Sequence, residues 1–419
     1  MDASCSSKYW DCVGSELQAE GDPNLRELSQ QTHYGSAPEY LWSELAEPEE
    51  DPAARLVQET DKCEDQRLRD LLYLISIDPS ELQMVESIAE GGQAHVYLAK
   101  YTRFPGKSKD VVVKRYKGRL GVRAVHELRR RIKLVESRWR QGLCRLIGLS
   151  EDNITGEVSV VMHAYRGDLR NLIDRRVDYL KSRMRSNMQD DDATQMMMMP
   201  FRYISTLLIM KHIALGMQDL CGFRIIHRDL KASNIFVSPV EYYKNNDRIQ
   251  INSRKIELKE DLDYDWLNVY VGDYESSDGV VGTAFWRPPE VLKAMKEGIR
   301  PTYTATVDVY GFGMVCYELL TGHIPFECEG VPRTDYDAVL SGRRPKLPDY
   351  LSPGMTQLLL KCWHHDPCQR PGWDEIVEAL DTEAWILPRK HRARTKGYFS
   401  MYEYTYHSAI GHPIVMRCL

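Results

Sequence analysis

Residues 225–237 read Ile-Ile-His-Arg-Asp-Leu-Lys-Ala-Ser-Asn-Ile-Phe-Val, a short polar loop held between two apolar runs. The flanks belong in a core, so the loop is fixed at its edge, with Asp229, Lys231 and Asn234 brought close together. A carboxylate, an ammonium and a carboxamide in one short loop supply a proton acceptor, a cation and a neutral oxygen donor. This stretch constrains the chain more than any other part of it.

The chain has 419 residues, enough for one large two-lobed domain with tails or for two ordinary domains. Charge is unevenly spread: residues 1–80 hold 18 acidic and 6 basic side chains, whereas the whole chain has a formal charge of −6. An acidic head of this kind, broken by proline at 48 and 52, is expected to be mostly disordered, with a short helix over 62–75. The last segment, 386–419, is a basic tail carrying Arg389, Lys390, Arg392, Arg394 and Lys396. Either tail can serve a regulatory partner; solvation is the simpler reading, and no nucleic acid is expected. Ten scattered cysteines without a C-x-x-C pair fit free thiols in a reducing compartment. The start of the chain resembles no secretory signal, and the apolar stretches are short and interrupted by charge, so no membrane span and a cytoplasmic location are expected.

Between the tails the pattern changes once. Short β-type runs at 85–88, 95–99, 111–114, 144–149 and 158–162, with a basic helix over 121–138, predict a small unit over 81–165. Helical periodicity then dominates 166–385, at 169–180, 203–220, 307–320, 354–362 and 374–380. Two polar stretches, 182–200 and 239–266, read as a connector and an inserted surface loop.

The loop at 225–237 matches the protein-kinase catalytic loop H-R-D-L-x-x-x-N at every fixed position. Downstream, Gly282-Thr-Ala-Phe-Trp-Arg-Pro-Pro-Glu290, Asp308-Val-Tyr-Gly-Phe-Gly313 and the stretch from Leu359 to Pro371 resemble further segments of the family, and of its tyrosine-kinase-like branch. The resemblance covers about 82–385. It implies an α+β bilobal fold, with a small β-rich lobe carrying one main helix and a larger helical lobe. It further implies an ATP- and Mg²⁺-dependent enzyme acting on Ser/Thr hydroxyls of protein substrates in intracellular signalling.

Each part of that machinery has a candidate. Asp229 is the base, Lys231 offsets charge on the transferring group, and Asn234 and Asp273 are the metal ligands. Lys114, ending Val111-Val-Val-Lys, is the phosphate-binding lysine, and Met162 lies ahead of the adenine hinge. The nucleotide hairpin aligns at Ile88, Gly91, Ala94 and Val96, with Ala89 and Ala94 replacing two of the three expected glycines. Lys114 needs a glutamate from the following helix, but the expected slot falls near Arg131; Glu127, one turn earlier, is the candidate, with Glu136 more than a turn later. Asp273-Tyr-Glu275 stands for Asp-Phe-Gly, so a carboxylate replaces a glycine beside the phosphate site, and left-handed geometry there would cost about 1–2 kcal/mol. The hydroxyls of Ser276 and Ser277 are candidates for phosphorylation that would pair with Arg228. The departures at the hairpin, the helix and Glu275 keep a second reading open: a pseudokinase that acts as a nucleotide-binding scaffold or allosteric interaction module. A further expectation is that the acidic head docks on the basic helix and restrains the enzyme.

Overall fold

The computed structural model describes residues 76–386 apart from 105, 138–141, 153, 185–198, 240–242, 245–246, 249–266 and 276–281. The acidic head with its proposed helix, the basic tail and most of the two polar stretches lie outside these residues, as do Ser276 and Ser277.

The small lobe is a six-stranded sheet. Its strands are β1 (Ser76–Ile77), β2 (Leu82–Glu90), β3 (Ala94–Phe104), β4 (Lys107–Arg119), β5 (Leu146–Glu151) and β6 (Glu157–His163), in the order β1-β5-β6-β4-β3-β2. The sequence pattern predicts five of these strands; the two-residue β1, which pairs parallel to β5, is too short to leave a periodicity. Alternation sorts the side chains of this sheet onto two faces. Ala99, Val111, Val113 and Val161 form a separate outer cluster. Ala94, Tyr116, Val160 and Met162 join the main core, together with Leu128 and Ile132 of the helix α1 (Val122–Ser137). In α1 the buried positions are 128, 131, 132 and 135, a helical stripe in which one member, Arg131, is charged.

The larger lobe holds α2 (Leu169–Met184), α3 (Tyr203–Gly222), α4 (Pro289–Lys296), α5 (Thr306–Thr321), α6 (Asp337–Leu340), α7 (Pro353–Cys362) and α8 (Trp373–Ile386). Its central member is α5, buried at every position from Val307 to Thr321 because it is apolar on all sides. A three-stranded sheet, β11-β8-β7, from Leu267–Val271, Ile235–Pro239 and Gly167–Asp168, lies where the functional loops emerge. The remaining pair is Tyr243–Lys244 with Asp247–Arg248, β9 and β10. Among the described residues no helix is long and apolar enough to cross a membrane.

One contact ties the segment before β5 to this lobe. Gly142 has φ +101°, and a Cβ there would lie 2.9 Å from the His212 carbonyl oxygen; one on Gly216 of α3 would lie 2.6 Å from the Gly142 oxygen. With both glycines in place, Val271 donates to Gly142 O at 2.7 Å and Cys144 donates to Val271 O at 2.7 Å.

Candidate active site

Strand register places the two metal-ligand candidates. Val271 pairs with Ile235, so Asn234, just before β8, lies beside Gly272, just past β11, and Gly272 N donates to Asn234 O at 2.9 Å. Asp273 follows Gly272 directly. Asn234 donates its amide to Asp229 O at 2.8 Å, and Lys231 Nζ donates to Asp229 Oδ2 and to Thr283 Oγ1, both at 2.7 Å. Asp229 Oδ1 is buried and accepts no hydrogen bond from the described residues. The structure therefore brings Asp229, Lys231, Asn234, Asp273 and Thr283 into one cluster.

The loop is held from beneath by two acids of α5. Asp308, in its first turn, accepts from the backbone N–H of His227 and of Arg228, each at 2.8 Å. Glu318, ten residues or about 15 Å further along the helix, accepts from Ala232 N at 3.3 Å and Trp286 Nε1 at 3.0 Å, and pairs with Arg170 at 3.2 Å. Burial pushes the Glu318 carboxyl up to about 7, against the pull of Arg170 and Trp286. Sequence reasoning missed Glu318; its signal was a lone acid near the end of an otherwise apolar helix. Glu290 and Arg370 form a bidentate pair, at 2.7 and 2.8 Å, with the arginine fully buried.

On the small-lobe side, Lys114 stands opposite Val96 and Val160 in the sheet, and Val112 stands opposite Met162. Cross-strand partners share a face, so the lysine, Val96 and the buried Met162 lie on the face that carries the main core. The β2–β3 turn closes through Gly91 N to Ala94 O at 2.9 Å. No residue from Ala89 to Ala94 has a positive φ, so the alanines that replace glycines there impose no backbone strain. Ile88, at the end of β2, is exposed.

The expected partner of Lys114 is corrected by the structure. Glu127 does not hold it: Glu127 bonds Arg130 at 2.7 Å and Arg131 at 2.7 Å, and lies on the flank of α1 rather than on its buried stripe. Burial raises the Glu127 carboxyl and the two guanidinium groups overcome that, leaving it at about 2. Lys114 instead pairs with Asp273 and, at 2.9 Å, with Glu275 Oε1. Burial opposes the ammonium, but these two carboxylates outweigh it and push its pKa well above the ordinary lysine value. Glu275 does not point to solvent: its side chain has no exposed surface. Nor does it carry the left-handed backbone, which falls on Asp273 at φ 62°. Arg131 fills the helix slot, donating to Tyr274 O at 2.9 Å and Glu275 O at 3.4 Å, while the buried Tyr274 hydroxyl donates to Cys144 O at 2.6 Å.

A nucleotide carried with Mg²⁺ fits this donor set. Asn234 and Asp273 offer the oxygen ligands a hard divalent cation takes, and the orphaned Asp229 Oδ1 is an acceptor without a proton to bind.

The family profile described as protein tyrosine and serine/threonine kinase matches residues 82–380. A light-sensor protein kinase of Ceratodon purpureus is 32% identical over 239 residues, 55% of this chain and 17% of that protein. The serine/threonine-protein kinase STY17 of Arabidopsis thaliana is 30% identical over 206 residues, 48% of this chain and 31% of its own. The serine/threonine/tyrosine-protein kinase HT1 of the same plant is 29% identical over 178 residues, covering 40% and 37%. The matches span well under half the length of these relatives. The chain belongs to the protein tyrosine and serine/threonine kinase family and carries its catalytic domain.

Proposed function

We propose that the chain is an ATP- and Mg²⁺-dependent protein kinase that transfers the γ-phosphoryl group to Ser/Thr hydroxyls of protein substrates. The observation that carries this reading is Asp229: one carboxylate oxygen is held by Lys231 and Asn234, and the other is buried and accepts from none of the described residues. Such an oxygen is poised to orient a substrate hydroxyl and take its proton as the oxygen attacks phosphorus. Lys231, beside it, offsets negative charge on the transferring group. Asn234 and Asp273 would hold Mg²⁺, and Lys114 would bind the α and β phosphates. Bound Mg²⁺ supplies neutralisation of phosphate charge. The Lys231 bridge between Asp229 and Thr283 supports Ser/Thr over Tyr as the acceptor, as do the names of relatives such as the serine/threonine-protein kinase STY17.

The second reading, nucleotide binding without turnover, is favoured by one observation: Lys114 is engaged by two carboxylates at once. Both readings are separated by Mg²⁺-ATP-dependent transfer to Ser/Thr and Tyr peptides, compared between wild type and Asp229→Asn. A working kinase loses about 10²–10⁴-fold in the variant. A folded wild type that binds nucleotide and transfers nothing establishes the scaffold.

A further inference from the structure

We propose that Glu275 performs the task for which the family pattern provides a helix glutamate: it is the positioning residue that holds Lys114 toward the phosphates, in an exchange of charge with Arg131. The proposal rests on the nucleotide-binding reading above, though not on turnover.

Three observations carry it. The helix slot that should present a carboxylate to Lys114 presents Arg131, on the buried stripe of α1. The position that should be a glycine presents a carboxylate, and that carboxylate is on Lys114 at 2.9 Å. The arginine reaches the same segment from the other side, donating to the carbonyls of Tyr274 and Glu275. An acid and a base have thus traded sides of one junction. Glu127 completes the exchange by bonding Arg131 Nε at 2.7 Å, so the guanidinium has a carboxylate as well as the two carbonyls.

Of the two carboxylates on Lys114, Glu275 is the one suited to stay there. Asp273 is 39% exposed at its side chain and is the oxygen donor proposed for the metal; recruited to a cation, its carboxylate is shared between that cation and the lysine. Glu275 has no exposed side-chain surface, and its second oxygen, Oε2, is buried without a hydrogen bond among the described residues. An ammonium has three donors, so it can keep one on Glu275 as it turns another to a phosphate. The free oxygen lets that grip shift without breaking.

The arrangement changes what the helix controls. Where lysine and helix glutamate form the pair, movement of the helix breaks it. Here two carboxylates on the lysine lie within three residues of one segment, and the helix reaches that segment through Arg131 and backbone oxygens. Loss of Arg131 should loosen the helix and leave the lysine pair intact.

The full chain is studied as wild type, Glu275→Gln, Glu275→Gly, Arg131→Ala, Lys114→Met, the double variant Lys114→Met/Glu275→Gln, and the double variant Arg131→Glu/Glu275→Gly, which returns each charge to the side the family pattern gives it. Mg²⁺-ATP affinity by calorimetry, KM and kcat for transfer, and thermal unfolding without nucleotide are measured. Glu275→Gln, nearly isosteric, should weaken Mg²⁺-ATP about tenfold and raise KM for ATP, consistent with loss of one charge-assisted bond. Arg131→Ala should change affinity much less. The double variant should recover affinity relative to Glu275→Gly. In the absence of nucleotide, Lys114→Met and Glu275→Gln should be strongly non-additive in melting temperature. Unchanged or tighter nucleotide binding by Glu275→Gln would overturn the assignment and make Glu275 a block on Lys114. Additive melting shifts, or no recovery in the double variant, would also overturn it. A wild type that binds Mg²⁺-ATP but transfers nothing ends the kinase reading and leaves the affinities to decide this one; a wild type that does not bind it ends both.

Discussion

The two halves of the site are built on different principles. Beneath Asp229, the partners stand on the segments that carry the family resemblance: Asp308 under the loop, Lys231 to Thr283, and Glu290 to Arg370. Around Lys114 the charges are the expected ones but stand on exchanged positions, with the acid after Tyr274 and the base on α1. In the lower half the backbone of the catalytic loop is fixed by its bonds to the Asp308 carboxylate, which allow few substitutes. An ion pair needs only opposite charges at the right separation, so either side of the junction can supply either sign.

If this contrast is right, the largest effect should come from the upper half. Lys114→Met leaves Glu275 buried and unpaired, and should cost about 3–5 kcal/mol in chemical unfolding; a loss under 1 kcal/mol would mean that Glu275 finds another partner at once. Lys231→Met should cost clearly less, because Asp229 keeps its bond from Asn234.

In the lower half, Asp308→Asn keeps the shape but offers only one acceptor oxygen to two backbone donors. The expected cost is about 2 kcal/mol with transfer falling more than tenfold; full activity would show that the loop holds its form without α5.

Glu318 gives the contrast a pH dependence. Its folded pKa, about 7, is above the ordinary 4.5, so between these values the folded state holds a proton the unfolded state has released. Its contribution to stability therefore falls as pH rises from about 4.5 to about 7 and is level above that. Glu318→Gln should flatten that part of the melting-temperature profile, and an identical slope in wild type and variant would remove the residue from the account.

The smallest effect is expected at Arg130, which is 44% exposed and shares Glu127 with Arg131. Arg130→Ala should change stability by less than about 0.5 kcal/mol. A larger loss would mean that Glu127 needs both arginines to keep Arg131 in place.

The same contrast governs what could be read from the chain. The catalytic loop, the segments that hold Glu290, Asp308 and Arg370, and most elements of both lobes follow from local motif and periodicity. Glu275 was legible only as a disturbance, because its partner lies 161 residues away and burial of its carboxylate depends on that partner. Glu127 was placed on the right helix but on the wrong side of it: position along a helix is set by counting, whereas facing is set by which neighbours are buried. β1 and the small sheet of β7, β8 and β11 include strands of two residues, below the length at which alternation carries information.

The glycines at 142 and 216 bear on how this sequence can drift. Val271 is held between Gly142 O and Cys144 N, and two residues later the chain reaches Asp273. A methyl group on either glycine would meet a backbone oxygen at under 3 Å, and neither oxygen can turn aside as a side chain would. Alanine at either site would push the strand before Asp273 away from α3, displacing a metal-ligand candidate that it never touches. Lineages of this chain should therefore vary freely on the outer faces of both segments while these two positions stay bare, and a survey of tolerated replacements would single them out although they have no side chain to conserve.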